Sequence, residues 1–422
     1  MQYAIIIFLS INVFGWSFLG LGATTQEKPV EVRTVLPMDI GYEKSKAYMY
    51  LNEIREAMGL NTLVENSQLS LAAQYHCDYL VANELSSHYE SEGLKKFVGV
   101  RPLDRSLYAG YNSRFVSENL STHTYGAQES IDGLFSAIYH RFGFLSQSID
   151  EVGVGVAQEK QKTSNSAFVY VMSNSNITRL CNEKSSTRSG TYYYDICKDT
   201  SHRIAQKKYL MAERLNKAYN PKIILYPYDR QTQVPPAFYD ETPDPLPHHD
   251  VSGFPVSIEF NDYYFSKVKL ESFRLFNEEG VEIKKVLLMD KENDPHARFT
   301  DKQFALFPLK RLEYHTRYRA EVSYRSKEKT EHITWHFTTT KPQEIFHRLE
   351  GENIEVHLQK GMNHILYIVP ENPQDIWKHI QFPSNVDVVF LDQNTLKITL
   401  LTEDLDDFMI ISKRHKIHAI VD

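Results

Sequence analysis

The sequence has few cysteines, no excess of basic over acidic residues, and few long apolar runs. Three cysteines in 422 residues allow at most one disulfide within the chain. A net charge of −7 and a pI near 6.2 give no basic footprint for nucleic acid. After Gln26 no stretch is long and apolar enough to span a membrane. The remaining composition, 42% hydrophobic and 24% charged, is that of a folded protein, and the length predicts two or three domains.

The N-terminal segment is the one long apolar run. It has no charged side chain before Glu27, and it ends in the small residues Gly20, Gly22 and Ala23. This pattern predicts a secretory signal peptide over residues 1–23. The missing basic residue at its start and the length of the run leave an uncleaved membrane anchor as the alternative. No cysteine follows the small residues, which argues against a lipoprotein. We therefore expect a secreted, periplasmic or cell-envelope protein.

The cysteines fall into a pair and a single residue. Cys181 and Cys197 bracket the polar stretch NEKSSTRSGTYYYDI, which resembles a loop closed by a disulfide. Closing a loop of about 15 residues would stabilise the fold by roughly 3 kcal/mol. Cys77 lies in an apolar helical pattern, and we expect it to be a buried thiol.

The first block, from about Gly41 to Leu145, has helical periodicity. Its third predicted helix runs from about Gln128 to Phe142. Next come EVGVGVA and SAFVYVMS, which are short, β-branched and separated by a polar loop, as two strands are. Helices followed by antiparallel strands predict an α+β layered domain over residues 41–180.

The rest of the chain is predicted to be β-structure. A connector over residues 181–221, which holds the predicted disulfide, leads into Pro-rich sequence. Short alternating strands then predict a β-sandwich over residues 222–341. Residues 342–422 contain further strand patterns such as NIEVHL and TLKITLL and predict a small C-terminal β domain without recognisable chemistry.

Six motifs in order give the first block a family resemblance. The first is the helical stretch LNEIREAMGLNTLVENSQLSLAAQYHCDYL, and the other five are SSHYE, RPLDRSLYAGY, SENLS, LFSAIYHRFGFL and EVGVGVA. This series resembles the CAP superfamily (cysteine-rich secretory, antigen 5, pathogenesis-related-1; also called SCP-like) in its bacterial, disulfide-poor form. The resemblance implies an α-β-α sandwich. The Pro-rich text and ITWHFTTT look like the immunoglobulin-like extension of some bacterial CAP proteins.

The resemblance also implies a site. It places His88 and His140 on the two site histidines of the family and Glu118 on its Glu-Asn motif. In the family these groups converge in an open cleft that can hold a divalent cation, and imidazole with carboxylate suits zinc. Ala137 stands where many secreted members have a further glutamate. Ser136, one helical turn before His140, is a candidate to contribute a hydroxyl to the cleft.

Other histidines are expected to lie outside the site. His76 falls in the apolar stripe of its helix and is predicted to be a hydrogen-bonded core residue. His123 is beyond the family motif and is predicted to be a loop residue. The pair His248 and His249 resembles a metal-binding tract, but its Pro-rich surroundings favour a solvated loop.

Three functions remain open from the sequence. The first is an exported protein that binds a ligand, lipid, cell-wall component or divalent cation in the His/Glu cleft, with the β domains as spacer or adhesion modules. The second is a metal-dependent extracellular hydrolase, with Glu118 as general base and with His88 and His140 holding the metal or polarising the substrate. In that alternative Glu118 and His140 are the candidate catalytic residues. The third is an envelope adhesin with a vestigial cleft. We favour the first. No cofactor is required, although a cation such as zinc is allowed, and we expect no nucleic-acid partner and no membrane contact beyond an N-terminal anchor.

Overall fold

The computed structural model describes residues 25–29, 37–185, 189–239, 241–402 and 404–422. The predicted signal peptide, residues 1–23, lies outside this range. No helix within the described ranges combines the length and the apolar content that a membrane crossing requires.

In its described residues, the first domain has seven helices and a central sheet. Its elements, after an N-terminal strand β1 (Thr25–Pro29), are α1 (Ile40–Ala57), β2 (Val64–Glu65), α2 (Ser67–Asn83), α3 (Pro102–Tyr108), β3 (Val116–Thr122), α4 (Ala127–Ser136), α5 (Ile138–Phe144), β4 (Glu151–Gln158), β5 (Ser166–Ser173), α6 (Ser175–Asn182), β6 (Tyr192–Tyr193), β7 (Ile204–Ala205) and α7 (Gln206–Tyr219). The sheet has the order β2-β4-β5-β3. Strands β4 and β5, and β5 and β3, pair antiparallel, which confirms the predicted α+β class.

Helices cover both faces of this sheet. On one face α2 buries Leu69, Ala73 and Cys77 against β5. On the other face α1 packs over β4 and α4 packs over β3, so that the domain is an α-β-α sandwich. The helix α2 comes very close to β4 because Gly153 and Gly155 have no side chain. A Cβ at Gly155 would lie 2.4 Å from the backbone of Ala73, so the close approach requires glycine there.

The third predicted helix is wrong in one respect, because it is broken in two. Ala137 adopts an extended conformation, with φ −73° and ψ 114°, between α4 and α5. The break redirects α5 toward the second domain. There the buried guanidinium of Arg141 donates to the carbonyl oxygen of Pro255 at 2.7 Å and to Oγ of Ser257 at 3.0 Å.

The second domain is a β-sandwich. Its strands are β8 (Ile223–Tyr226), β9 (Gln231–Val234), β10 (Ala237–Tyr239), β11 (Val251–Gly253), β12 (Val256–Phe260), β13 (Lys269–Phe276), β14 (Val286–Met289), β15 (Gln303–Pro308), β16 (Arg317–Ser326) and β17 (Lys329–Thr339). They form two four-stranded sheets, β14-β15-β12-β8 and β13-β16-β17-β9, beside a β10-β11 pair. Alternating apolar residues from both sheets meet in the core, as in the contact of Phe260 with Tyr324 at 4.7 Å between ring centroids.

The C-terminal region forms two further sheets. Its strands are β18 (Ile345–Leu349), β19 (Asn353–Leu358), β20 (His364–Ile368), β21 (His379–Pro383), β22 (Val386–Asp392), β23 (Thr395–Leu400), β24 (Asp407–Ile411) and β25 (Lys416–Val421). One sheet has the order β18-β20-β23-β22 and the other β1-β21-β24-β25-β19. They enclose a separate core around Leu358, Leu396 and Ile410.

The three regions are joined by buried contacts. Phe135 of α4 stacks on Tyr226 of β8 with 4.9 Å between ring centroids, and both belong to one continuous apolar cluster. The sandwich contacts the C-terminal region through Arg311, whose Nη2 lies 2.7 Å from the carboxylate of Asp392. Burial alone would raise the pKa of this carboxyl, but the Arg311 charge outweighs burial and lowers the pKa to about 2.

The cysteines are arranged as predicted. Cys181 and Cys197 form a disulfide with a sequence separation of 16. Cys77 is a free, buried thiol, and burial raises its pKa well above the ordinary value. It is therefore a protonated core residue rather than a nucleophile.

Candidate functional site

Three different elements carry the residues that the resemblance assigned to the cleft. His88 lies in the loop after α2, Glu118 lies in β3, and His140 lies in α5. The side chain of Asn119, next to Glu118, donates to the backbone oxygen of His140 at 2.8 Å. This bond ties α5 to β3, and the hydrogen bond between His88 and Glu118 brings the loop after α2 to the same strand. We call His88, Glu118 and His140 the cleft residues.

Glu118 is the buried centre of the cleft. Its side chain is 1% exposed and accepts hydrogen bonds from Nη2 of Arg105 at 2.8 and 3.1 Å and from Nδ1 of His88 at 3.0 Å. Burial alone would raise the pKa of this carboxyl. The His88 hydrogen bond and the charges of Arg105 and His76 outweigh burial, and the pKa lies below its ordinary value. Glu118 is therefore a fixed anion.

A second buried pair, His76 and Glu90, lies beside Glu118. Nδ1 of His76 lies 2.9 Å from Oε1 of Glu90, and Nε2 lies 2.8 Å from the carbonyl oxygen of Ser87. Each ring nitrogen of His76 thus faces an oxygen acceptor. His76 and Arg105 lie against Glu90 and Glu118 in one buried cluster of side chains. The prediction that His76 is a hydrogen-bonded core residue is confirmed.

The two cleft histidines face each other at the surface of this cluster. The ring centroids of His88 and His140 are 6.1 Å apart, and the ring planes are inclined by 22°. The side chain of His88 is 36% exposed and that of His140 is 15% exposed. The carboxylate of Glu118 can only accept, so His88 carries its hydrogen on Nδ1, and its Nε2 has no partner among the described residues.

A carboxylate from the second domain holds the other histidine. Nδ1 of His140 lies 3.2 Å from Oε2 of Glu241, whose side chain is 4% exposed. The same reasoning places the hydrogen of His140 on Nδ1. Its Nε2 also has no partner within the described ranges. Each cleft imidazole is thus oriented by one carboxylate and has one ring nitrogen available.

Ser136 does not share a helix with His140. Ser136 ends α4 and His140 belongs to α5, so the extended Ala137 removes them from a common helical face. The hydroxyl of Ser136 donates to the carbonyl oxygen of Gly133 at 2.7 Å. Ser136 lines a different groove, of about 840 Å³, between α4 and the segment around Pro236.

The remaining histidines lie away from the cleft. His123 is an exposed loop residue whose Nδ1 lies 3.1 Å from the backbone oxygen of Ser164. His248 and His249 lie in a loop, and His248 is exposed. These positions agree with the predictions. Within the described residues, no group of three or more His, Cys, Asp or Glu side chains is arranged to hold a metal ion.

Sequence reasoning missed two contacts of the cleft. Arg105 lies within the motif RPLDRSLYAGY, but nothing in that motif shows that its guanidinium is buried beside Glu118. Glu241 follows His140 by 101 residues in a Pro-rich connector, and no local pattern marks it. This contact is visible only in the three-dimensional structure, where the two domains pack together.

Comparison with known proteins supports the family resemblance. Residues 48–174 match the model of the cysteine-rich secretory protein family, CAP. No curated protein matches the chain.

Several solved structures are similar over part of the chain. An extracellular protein containing a SCP domain from Bacillus anthracis str. Ames is 18% identical over 32% of this chain, with a TM-score of 0.28. An outer surface protein from Borrelia burgdorferi is 16% identical over 33% of this chain and 98% of its own, with a TM-score of 0.28. A cysteine-rich secretory protein from Staphylococcus aureus subsp. aureus Mu50 is 18% identical over 32% of this chain, with a TM-score of 0.24. The chain spans only 40% and 39% of the Bacillus and Staphylococcus proteins.

The family match covers α2, β3, α4, α5 and both central strands, and it includes all three cleft residues. Residues 48–174 of this chain therefore match the model of the cysteine-rich secretory protein (CAP) family.

Proposed function

We propose that this chain is an exported protein of bacterial type that binds an extracellular or cell-envelope ligand between His88 and His140. One observation carries the proposal. Both imidazoles are fixed at Nδ1 by buried carboxylates, Glu118 and Glu241, while Nε2 remains available. A preoriented Nε2 lone pair accepts a hydrogen bond from a ligand or binds a cation at little cost in side-chain entropy.

Two features support export. The N-terminal apolar segment has the pattern of a secretory signal. The disulfide between Cys181 and Cys197 is of a kind that persists in oxidising compartments outside the cytosol. In this proposal the β domains act as spacer or adhesion modules that present the CAP domain.

A divalent cation fits the cleft in part. A carboxylate behind each imidazole is the arrangement that orients metal-bound histidine, and His88 and His140 would each offer Nε2. Such a cation would act as a Lewis acid that draws an anionic ligand group to the cleft. Glu118 is already paired with Arg105, so the cleft offers two protein ligands, whereas a catalytic zinc site has three. We therefore propose that a cation binds tightly here only together with a bound ligand that completes its coordination, and only weakly to the protein alone.

The hydrolase alternative gains no support from these contacts. A general base must reach the substrate and have a pKa near the working pH. The carboxylate of Glu118 is 1% exposed, is bound to Arg105, and has a lowered pKa. It is suited to orienting His88 rather than to accepting a proton from water.

Calorimetric titration with Zn²⁺ tests the cation form of the proposal. Because the cleft offers only two protein ligands, we expect weak binding by the mature protein and its loss in His88→Ala and His140→Ala. His123→Ala, which removes an exposed loop histidine, is the matched control and should bind as the parent does.

Extraction followed by mass spectrometry tests the other ligand classes. A lipid or cell-wall fragment that copurifies with the parent should be reduced in His140→Ala and unchanged in His123→Ala. If neither zinc binding nor any copurified compound depends on the two cleft histidines, the proposed binding function is refuted.

A further inference from the structure

The β-sandwich contributes a carboxylate to the CAP cleft. Glu241 follows β10, and its Oε2 lies 3.2 Å from Nδ1 of His140. Its Oε1 accepts from the backbone N–H of Tyr139 at 3.3 Å. A carboxylate with 4% exposure is costly unless it is paired, and α5 supplies both of these partners.

The carboxylate that orients His140 comes from outside the region that matches the CAP family model. Ala137 occupies the position where the resemblance expects a glutamate before the second histidine. Glu241 brings a carboxylate to His140 from outside the matched range of residues 48–174. The cleft therefore has two matched pairs, His88 with Glu118 from within the domain and His140 with Glu241 from its neighbour.

Domain docking fixes where Glu241 lies. The side chain of Arg141 donates to Pro255 and Ser257 of the sandwich. The ring of Phe142 contacts Phe299 edge-on with 5.1 Å between centroids. These contacts lie immediately after His140 on α5, so the helix and the segment that carries Glu241 keep one relative position.

We infer that Glu241 is a positioning residue for His140, and that the cleft is complete only when the β-sandwich is docked on α5. The inference deepens the proposed function and rests on it for the role of the cleft. Glu241 keeps the hydrogen of His140 on Nδ1 and leaves Nε2 to the ligand. Separation of the two domains would remove the carboxylate, so ligand binding at His140 is coupled to the domain interface.

The tautomer of His140 tests this inference without any ligand. Nitrogen-15 NMR of the full-length protein, labelled at histidine and held at a pH where imidazoles are neutral, distinguishes Nδ1–H from Nε2–H. We expect Nδ1–H at His140 in the parent and a shift toward Nε2–H in Glu241→Ala. His88 should keep Nδ1–H because Glu118 is intact. Glu328→Ala, at the exposed turn between β16 and β17, is the matched control and should change neither ring.

A His140 tautomer that is unchanged in folded Glu241→Ala overturns the inference. Should that variant fail to fold, Glu241→Met keeps most of the buried volume without an acceptor and is read in the same way. Zinc titration separates the two proposals. If the parent binds zinc, loss of the carboxylate should weaken binding by about 10–100-fold. If the parent binds no zinc but the tautomer shifts, the cation form of the proposed function fails and the inference stands.

Discussion

The close contact of α2 with β4 can be tested by the same change, glycine to alanine, at two positions. We expect it to lower the stability at Gly155 and to raise it at Gly133. In Gly155→Ala the new Cβ would lie 2.4 Å from the carbonyl carbon and oxygen of Ala73, whereas an ordinary contact is 3.4 Å or more. The atoms are backbone, so α2 must move by about 1 Å. A gap of that size forfeits a quarter to a half of each dispersion contact along the helix face. At Gly133, in the exposed face of α4, a Cβ would meet nothing within 4 Å.

The expected magnitudes follow from these distances. Overpacking costs roughly 1–3 kcal/mol, and the backbone clash places Gly155→Ala at the upper end, with a fall in Tm of roughly 5–10 °C. Gly133→Ala should instead stabilise α4 by about 0.5–1 kcal/mol, because glycine is a poor helix residue.

Thermal unfolding followed by circular dichroism in the helix band measures the effect. All helices in the described ranges lie before residue 220, so this band reports on the CAP domain and α7. The reasoning is refuted if Gly155→Ala melts at the parental temperature, or if Gly133→Ala is destabilised as much as Gly155→Ala.

Two further predictions concern the junction with the C-terminal region and the disulfide. The folded-state pKa of Asp392, about 2, is below the ordinary 3.8, so its ion pair with Arg311 contributes stability above pH ~4 that is lost as the pH falls toward ~2. The difference corresponds to about 2 kcal/mol. Urea unfolding followed by tryptophan fluorescence, to which Trp335 and Trp377 both contribute, should show this loss in the parent. Asp392→Asn should be less stable at neutral pH, and its stability should depend less on pH in acid. An equally steep acid loss in the variant would contradict the assignment. Reduction of the disulfide, or the double substitution Cys181→Ser and Cys197→Ser, should lower the free energy of unfolding by roughly 3 kcal/mol. An unchanged melting temperature under reducing conditions would argue against a stabilising role.

Local patterns were sufficient for most of the fold. Period-two alternation predicted strands such as β16 and β17, and β-branched runs predicted β4 and β5, because burial on a pleated face selects such residues wherever the strand is placed. The pairing of Cys181 with Cys197 was predictable because the two are close in sequence. The break at Ala137 was not, because alanine favours helix locally and only docking of α5 on the sandwich favours the extended conformation.

The candidate site was predictable only in part. The family pattern identified His88, Glu118 and His140 because these positions fall within recognisable motifs. The ionic state of Glu118 depends on Arg105, which a sequence shows as one arginine among many. Glu241 belongs to another domain, and a contact between residues so far apart leaves no periodicity or spacing to detect.

The continuous apolar cluster under α4 and β8 has a consequence for any attempt to isolate the CAP domain. Phe135 stacks on Tyr226, and Phe142 is buried against Phe299. A chain shortened at the family boundary would expose these aromatic rings to water, at a cost of roughly 1.5–3 kcal/mol for each ring. Such a fragment would tend to associate through the uncovered face. The β-sandwich therefore keeps this apolar face out of water, and the CAP domain is expected to stay soluble only when it is expressed together with the sandwich.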